Sequence, residues 1–143
     1  MDDSITVLLR GVHVVSENHR YASRRQTMRQ GKLERRLAYY TLVEQVGNAW
    51  AAQRLTAALV ISLTRIAPRL LDGDGLSSSL KHIRDGIADY LIQNPGQGHR
   101  YDDSPRFTWR YAQRRGAVRE YAVGIRLEEA GHAMLVDNSD NTC

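Results

Sequence analysis

Residues 57–66, Ala-Ala-Leu-Val-Ile-Ser-Leu-Thr-Arg-Ile, form a dense β-branched and aliphatic run that Pro68 ends. Such a run fits a strand buried on both faces, the central strand of a covered sheet, and the rest of the chain has to be arranged around it. Helical periodicities lie on either side. Leu33, Leu37, Tyr40, Val43, Gly47 and Trp50 recur three and four apart and predict a helix over about 33–55, with that face turned to the core. Leu76, Leu80, Ile83 and Ile87, with Tyr90 or Leu91, predict a second helix over 76–91. Its opposite face carries Ser78, Lys81, His82, Asp85 and Asp89, and Asn94-Pro95-Gly96 breaks it. Residues 5–9, Ile-Thr-Val-Leu-Leu, predict the first strand, followed by a short run from Val12 to Val15. After Pro105, Phe107, Trp109 and Tyr111 alternate with Thr108 and Arg110. Beyond a turn at Gly116, Tyr121, Val123, Ile125 and Leu127 alternate again, which predicts an antiparallel hairpin over 106–127. The order β-α-β-α-β-β places the chain in the α/β (α+β) class, a single domain over 1–143 with a small mixed sheet carrying helices. Residues 130–143 are expected to fray.

The charge is distributed unevenly. Net charge is +4, and Lys32 and Lys81 are the only lysines; every other cation is arginine, whose planar fork grips phosphate oxygens in a bidentate way. Nucleic acid is the partner this suggests, while arginine usage set by a GC-rich genome is the compositional alternative. Residues 16–32 carry Arg20, Arg24, Arg25, Arg29 and Lys32 against Glu17 alone, interleaved with Asn18, His19 and Tyr21, and read as a mobile basic arm. Arg35 and Arg36 continue it at the start of the predicted helix, where cations oppose the helix dipole and some other contact has to hold them. Arg106, Arg110 and Arg114 are placed to present cations on the outer face of the predicted hairpin, or to form a solvated charged face.

Several classes fall away. The one cysteine is Cys143, so the chain has neither an intrachain disulfide nor a cysteine-rich zinc site. No apolar stretch is long enough to span a bilayer, and the start, Met1-Asp2-Asp3-Ser4, lacks the basic and apolar regions of a secretory signal, so a cytoplasmic protein is expected. Phosphate-loop and Gly-x-Ser-x-Gly motifs are absent, and His13, His19, His82, His99 and His132 form no ligand pair.

What remains is acidic. Asp72-Gly73-Asp74-Gly75 sits between the central strand and the second helix, and Asp102-Asp103 follows that helix. On an extended segment carboxylates at i and i+2 point the same way, as two ligands of one hard cation must. The bland reading is local: aspartate before a helix is a favoured N-cap and Asp-Gly a turn former, so Asp74 would cap the helix while Asp72 sits in the turn. An EF-hand is ruled out, because Ser77 and Ile83 stand where that loop needs Gly and Glu. A helix over 76–91 is about 24 Å long, and the residues from 92 to 102 can span that distance back, so Asp103 is within reach of Asp72 and Asp74.

The run Arg69-Leu70-Leu71-Asp72-Gly73-Asp74-Gly75-Leu76, a helix with Lys81 and Asp85-Gly86, and then Asp102-Asp103 resembles the RusA family of Holliday junction resolvases, common on phages and prophages. Ser16-Glu17-Asn18-His19-Arg20-Tyr21 is similar to that family's asparagine-bearing N-terminal segment, and the likeness spans about 5–128. The resemblance implies a homodimer that cuts two strands of four-way DNA junctions symmetrically in recombination and repair. Asp72, Asp74 and Asp103 match its three catalytic, magnesium-binding aspartates, with manganese as a substitute ion. Gly75 stands where the family has asparagine, and Ser78 where it has its catalytic lysine, leaving Lys81 as the nearest candidate. Asn18, Arg20, Arg24, Arg25, Lys32, Arg35, Arg36 and Arg69 would hold the DNA backbone. The rival readings are a weakened or inactive member of the same fold that binds DNA or protein, and a structural protein with no nucleic-acid role.

Overall fold

A computed structural model describes residues 3–15, 24–93 and 102–131. In chain order the elements are β1 (Ile5–Arg10), α1 (Arg24–Gln45), α2 (Asn48–Ala52), β2 (Leu59–Ala67), α3 (Gly73–Ser79), α4 (Lys81–Ile92), β3 (Phe107–Arg115) and β4 (Ala122–Glu129). The α/β class holds, and so does the predicted order, with each helical stage split in two. The sheet runs β1-β4-β2-β3; β2 is parallel to β3, and β4 is antiparallel to both β1 and β2. The strand predicted to be central thus has a neighbour on each side, and Leu59, Ile61 and Leu63 are fully buried.

The predicted hairpin over 106–127 does not form. β3 and β4 lie on opposite sides of β2, and the turn between them crosses the end of that strand, where Gly116 N donates to Ala67 O at 2.8 Å. Alternation reports one buried face; it does not report the pairing partner. β2, apolar on both faces, is the strand with most to gain from a neighbour along each edge. The alternation itself is as expected: Phe107 is buried, Trp109 and Tyr111 pack against the core, and Thr108 and Arg110 are exposed. Across the covered face the register aligns Ile5, Leu127, Ile61 and Trp109 in one row and Val7, Ile125, Leu63 and Tyr111 in the next. The third row is Leu9, Val123, Arg65 and Gln113, apolar on one half and polar on the other.

Of the inward face predicted for the first helix, Val43 and Trp50 pack against the core, but its first three members turn outward. Leu33, Leu37 and Tyr40 are 51, 41 and 62% exposed, while Ala38 and Leu42 are fully buried. Closeness to α4 decides this. A Cβ placed on Gly86 would lie 2.2 Å from the Arg35 carbonyl oxygen, and one placed on Gly31 would lie 2.6 Å from the His82 ring. The inner face of α1 is therefore chosen for small side chains, and the larger leucines and Tyr40 are turned out. α1 also begins at Arg24, so residues 24–32 are its first turns rather than part of a mobile arm, and Arg35 and Arg36 lie mid-helix. Residues 16–23 lie outside the described residues. Gly47, at φ 94°, separates α1 from α2 where a continuous helix to residue 55 was predicted.

The second helical stage is divided at Leu80, between α3 and α4. Ser77, Ser78 and Ser79 donate their hydroxyls to the carbonyls of Asp74, Gly75 and Leu76 at 3.2, 3.2 and 2.7 Å, a competition with helical bonding that loosens the end of α3. Asp85 and Asp89, placed by their spacing on the face opposite the apolar one, are buried, and Asp89 is bound by Arg35 of α1.

Glu34 is buried on that same interhelical face, with Gln30 Nε2 donating to it at 3.2 Å. Burial pushes its carboxyl up from 4.5 to about 7, the Gln30 bond acting weakly in the opposite direction. An acid whose folded pKa is raised keeps its proton in the folded chain while the unfolded chain releases it. Stability is then complete below pH 4.5, falls as pH rises to about 7, and is level above. The expected loss is about 3 kcal/mol at most. Urea unfolding at pH 5 and pH 8 measures it, and Glu34→Gln is expected to remove that slope.

Candidate functional site

The turn after β2 is held from the polar half of the third row. Arg65, 4% exposed on β2, donates from Nη1 to Arg69 O at 2.7 Å and from Nε to Val14 O at 3.5 Å. Gln113 of β3 brackets Leu71: its Oε1 accepts from Leu71 N at 2.9 Å and its Nε2 donates to Leu71 O at 2.6 Å. Burial lowers the Arg65 pKa, partly offset by Tyr121. Neither residue was singled out in the sequence, because only the register reveals that both face residues 69–71.

That clamp delivers Asp72 in an extended conformation, φ −69° and ψ 171°, with a carboxylate oxygen, Oδ1, accepting from Gly75 N at 2.6 Å. Asp72 is thus the N-cap of α3, and Asp74 sits in the first helical turn, exposed. The local capping reading was right in kind and wrong in residue. Asp72 and Asp74 share one turn beyond the end of β2.

Asp103 lies in a separate turn, before β3. Its neighbour Asp102, 6% exposed, accepts from Arg84 Nε at 2.7 Å on Oδ2, while its carbonyl accepts from Trp109 Nε1 at 2.6 Å. Arg84 also donates to Tyr111 Oη at 2.6 Å and lies over the Trp109 ring, 4.5 Å from its centroid. This fixes the Asp102-Asp103 turn beside Trp109 and Tyr111, which the register sets level with Ile61 and Leu63. Leu63 is four residues, about 13 Å of strand, short of the end of β2. Asp103 is exposed, and Lys81 opens α4, half-buried. Among the described residues no three His, Cys, Asp or Glu side chains are grouped so as to hold one metal ion.

The cations separate into inward and outward sets. Arg35, expected on DNA, turns in: its Nε and Nη2 donate to the two oxygens of Asp89 at 2.6 and 2.8 Å. This is the contact that holds Arg35 on the helix, and the Asp89 hydrogen bond is the leading cause of its raised pKa, with Asp85 and Asp102 adding. Arg106 also turns in, donating to the carbonyls of Arg54 and Ala57 at 3.0 and 3.1 Å rather than facing solvent with Arg110 and Arg114. Arg25, Arg29, Lys32 and Arg36 are exposed on α1 at spacings of four, three and four, which places them in one stripe. With Met28 and Leu33 they line a shallow depression of about 610 Å³. Arg69 is exposed beside the Asp72 turn. Asn18 and Arg20 lie outside the described residues, as does the side chain of Arg24.

The opposite sheet face carries a second cationic surface. Two of its rows are Thr6, Arg126, Ser62 and Arg110 and, beyond the row of Leu8, Gly124, Thr64 and Ala112, Arg10, Ala122, Ile66 and Arg114; all four arginines are exposed. Arg10 and Arg126 join Arg110 and Arg114 through strand register alone. No described helix is long and apolar enough to cross a membrane. The chain matches no protein-family model and no curated protein at a significant level.

Proposed function

We propose that this chain binds branched DNA as a RusA-like protein, with the outer face of α1 against the phosphate backbone. The observation that carries this reading is the stripe Arg25, Arg29, Lys32 and Arg36: four exposed cations along three turns of one helix. Rows of guanidinium and ammonium groups neutralise successive phosphates and release their counterions, the main source of sequence-independent affinity. Arg69 is a further exposed cation, beside the turn that carries Asp72 and Asp74.

A second reading is favoured by Asp74, exposed beside Asp72 on a turn that Arg65 and Gln113 hold in place. It is a magnesium- or manganese-dependent endonuclease, a homodimer cutting a four-way junction symmetrically. Magnesium is commonly held by one or two carboxylates, its other positions filled by water and phosphate. Asp72 and Asp74 have the right donor chemistry, although Asp72 Oδ1 is engaged by the cap. Among the described residues Asp103 is not grouped with them as a third ligand. A bound ion would polarise the phosphodiester; the chain's own part would be to orient the two carboxylates and hold the backbone.

A synthetic four-way junction tests both readings, incubated with the protein and with Asp74→Asn, each with and without magnesium. Junction binding by both proteins is the expected result. Symmetric cleavage by the wild type that Asp74→Asn abolishes would establish the nuclease. Failure of either protein to bind the junction in low salt overturns the proposal and leaves the structural reading.

A further inference from the structure

β3 closes one end of the sheet, and among the described residues it pairs with β2 alone. The pairing runs without a slip from Leu59 opposite Phe107 to Ala67 opposite Arg115, and the strand holds no glycine or proline to bend or interrupt it. In a parallel ladder successive residues turn their backbone groups to alternate sides. Arg106 O accepts from Leu59 N at 2.7 Å and Gly116 N donates to Ala67 O at 2.8 Å, so the even-numbered residues of this stretch bond to β2. Phe107, on the other parity, gives its N–H to Ser104 O at 3.0 Å. Trp109, Tyr111 and Gln113 therefore direct their N–H and C=O groups to the free edge.

We infer that this edge takes an acidic, extended segment of another protein as a fifth strand. Charge selects that occupant. Thr108, Arg110, Ala112 and Arg114 are exposed along one face of β3, and the strand carries no acidic residue. A charged edge repels strands of its own sign and leaves its backbone open to strands of the other. A second copy of β3, paired antiparallel about Ala112, would set Arg110 against Arg114 at both ends, an unfavourable cross-strand pair. A helix has its backbone groups bonded internally and could not use the edge. In an acidic strand the main chain bonds to Trp109, Tyr111 and Gln113, while carboxylates at positions i and i+4 stand opposite Arg110 and Arg114. The site shares no residue with the cationic stripe of α1, so the inference is independent of the proposed DNA contact.

The probe is a labelled peptide, Ser-Glu-Val-Thr-Val-Glu-Ser, whose symmetric order serves either strand direction. Fluorescence anisotropy with the full chain is expected to show saturable binding, about tenfold weaker when lysine replaces both glutamates. The double variant Arg110→Glu with Arg114→Glu is expected to reverse that preference, with circular dichroism confirming its fold. Amide hydrogen exchange needs no variant. In the free chain the Tyr111 and Gln113 amides are expected to exchange faster than those of Arg110 and Ala112, and the bound peptide to slow them about tenfold or more. Failure of the peptide to bind overturns the inference, as does binding that leaves those two amides unprotected or a preference that the double variant does not reverse. Tyr111 and Gln113 amides already protected in the free chain also overturn it, because the edge is then covered by the chain itself. Oligothymidylate binding that the double variant abolishes, where the peptide fails to bind the wild type, would make these arginines a nucleic-acid contact instead.

Discussion

Gly86→Ala is expected to destabilise the chain by about 2 kcal/mol, and Gly86→Leu to leave it unfolded at 37 °C. A methyl group on Gly86 would lie 2.2 Å from the Arg35 carbonyl oxygen and 2.9 Å from Ala38 Cβ. The first of these is backbone and cannot rotate away, so α1 has to move off α4. Alanine gains about 1 kcal/mol over glycine inside a helix, and the displacement has to outweigh that. It does so twice over. The interface loses close packing along Gly31, Ala38 and Leu42, and the two hydrogen bonds from Arg35 to Asp89 are stretched. Asp89 is 5% exposed, and separating a buried carboxylate from its partner costs about 3–5 kcal/mol when complete. Gly73 is the control, because a Cβ there meets nothing within 4 Å, and Gly73→Ala is expected to change stability little. Thermal unfolding separates the two, at about 2–4 °C of melting temperature per kcal/mol for a domain of this size. An unshifted melting temperature in Gly86→Ala would mean that the helices do not approach as closely as described.

The same crossing explains why part of the fold was legible and part was not. β2 could be placed at the centre of the sheet because its composition alone tells of burial on both faces, and β1 and β3 because one face of each is apolar. Spacing in α1 was read correctly as helical, yet over its first half the wrong side was chosen: Leu33, Leu37 and Tyr40 are the more hydrophobic set, but Gly31 and Ala38 are the ones small enough to meet α4. Hydrophobicity gives a helix its period, whereas volume at the contact gives it its orientation. Pairing was hidden for a related reason. β3 and β4 each alternate properly, and only the demand of β2 for two neighbours separates them.

The site shows a similar division. Asp72 and Asp74 stood out because Asp-Gly spelling before an apolar helix pattern is local, and the cap that Asp72 makes is local too. Asp102 was passed over in favour of Asp103, although Asp102 is the residue that binds Arg84 and Trp109. That choice depends on how the turn lies against α4 and β3, contacts separated by 18 and 7 residues in the chain. Arg35 looked like its neighbour Arg36 until Asp89, 54 residues away, claimed it.

Replacing Arg25, Lys32 and Arg36 together by glutamine is expected to reduce the salt dependence of junction binding by about three contacts' worth on a log–log plot. Each cation that neutralises a phosphate adds about 0.9 to the slope. Raising salt from 50 to 200 mM should therefore weaken the wild type roughly 40-fold more than the triple variant. If two copies share one DNA, the difference in slope approaches six contacts. All three side chains are exposed on α1, so the changes leave the core and the Arg35–Asp89 pair intact. Net charge alone also changes affinity, which calls for a control on another surface. Arg115→Gln with Arg119→Gln removes two exposed cations from the β3–β4 end of the sheet and is expected to leave most of the slope in place. Fluorescence anisotropy with a labelled junction, at four or five salt concentrations, reads both variants. A triple variant with the wild-type slope would exclude α1 as the backbone contact and turn attention to Arg10, Arg110, Arg114 and Arg126 on the opposite sheet face. Placement rather than number is what distinguishes the two surfaces, since each presents four arginine or lysine side chains, one as a line along a helix and the other as two rows across strands.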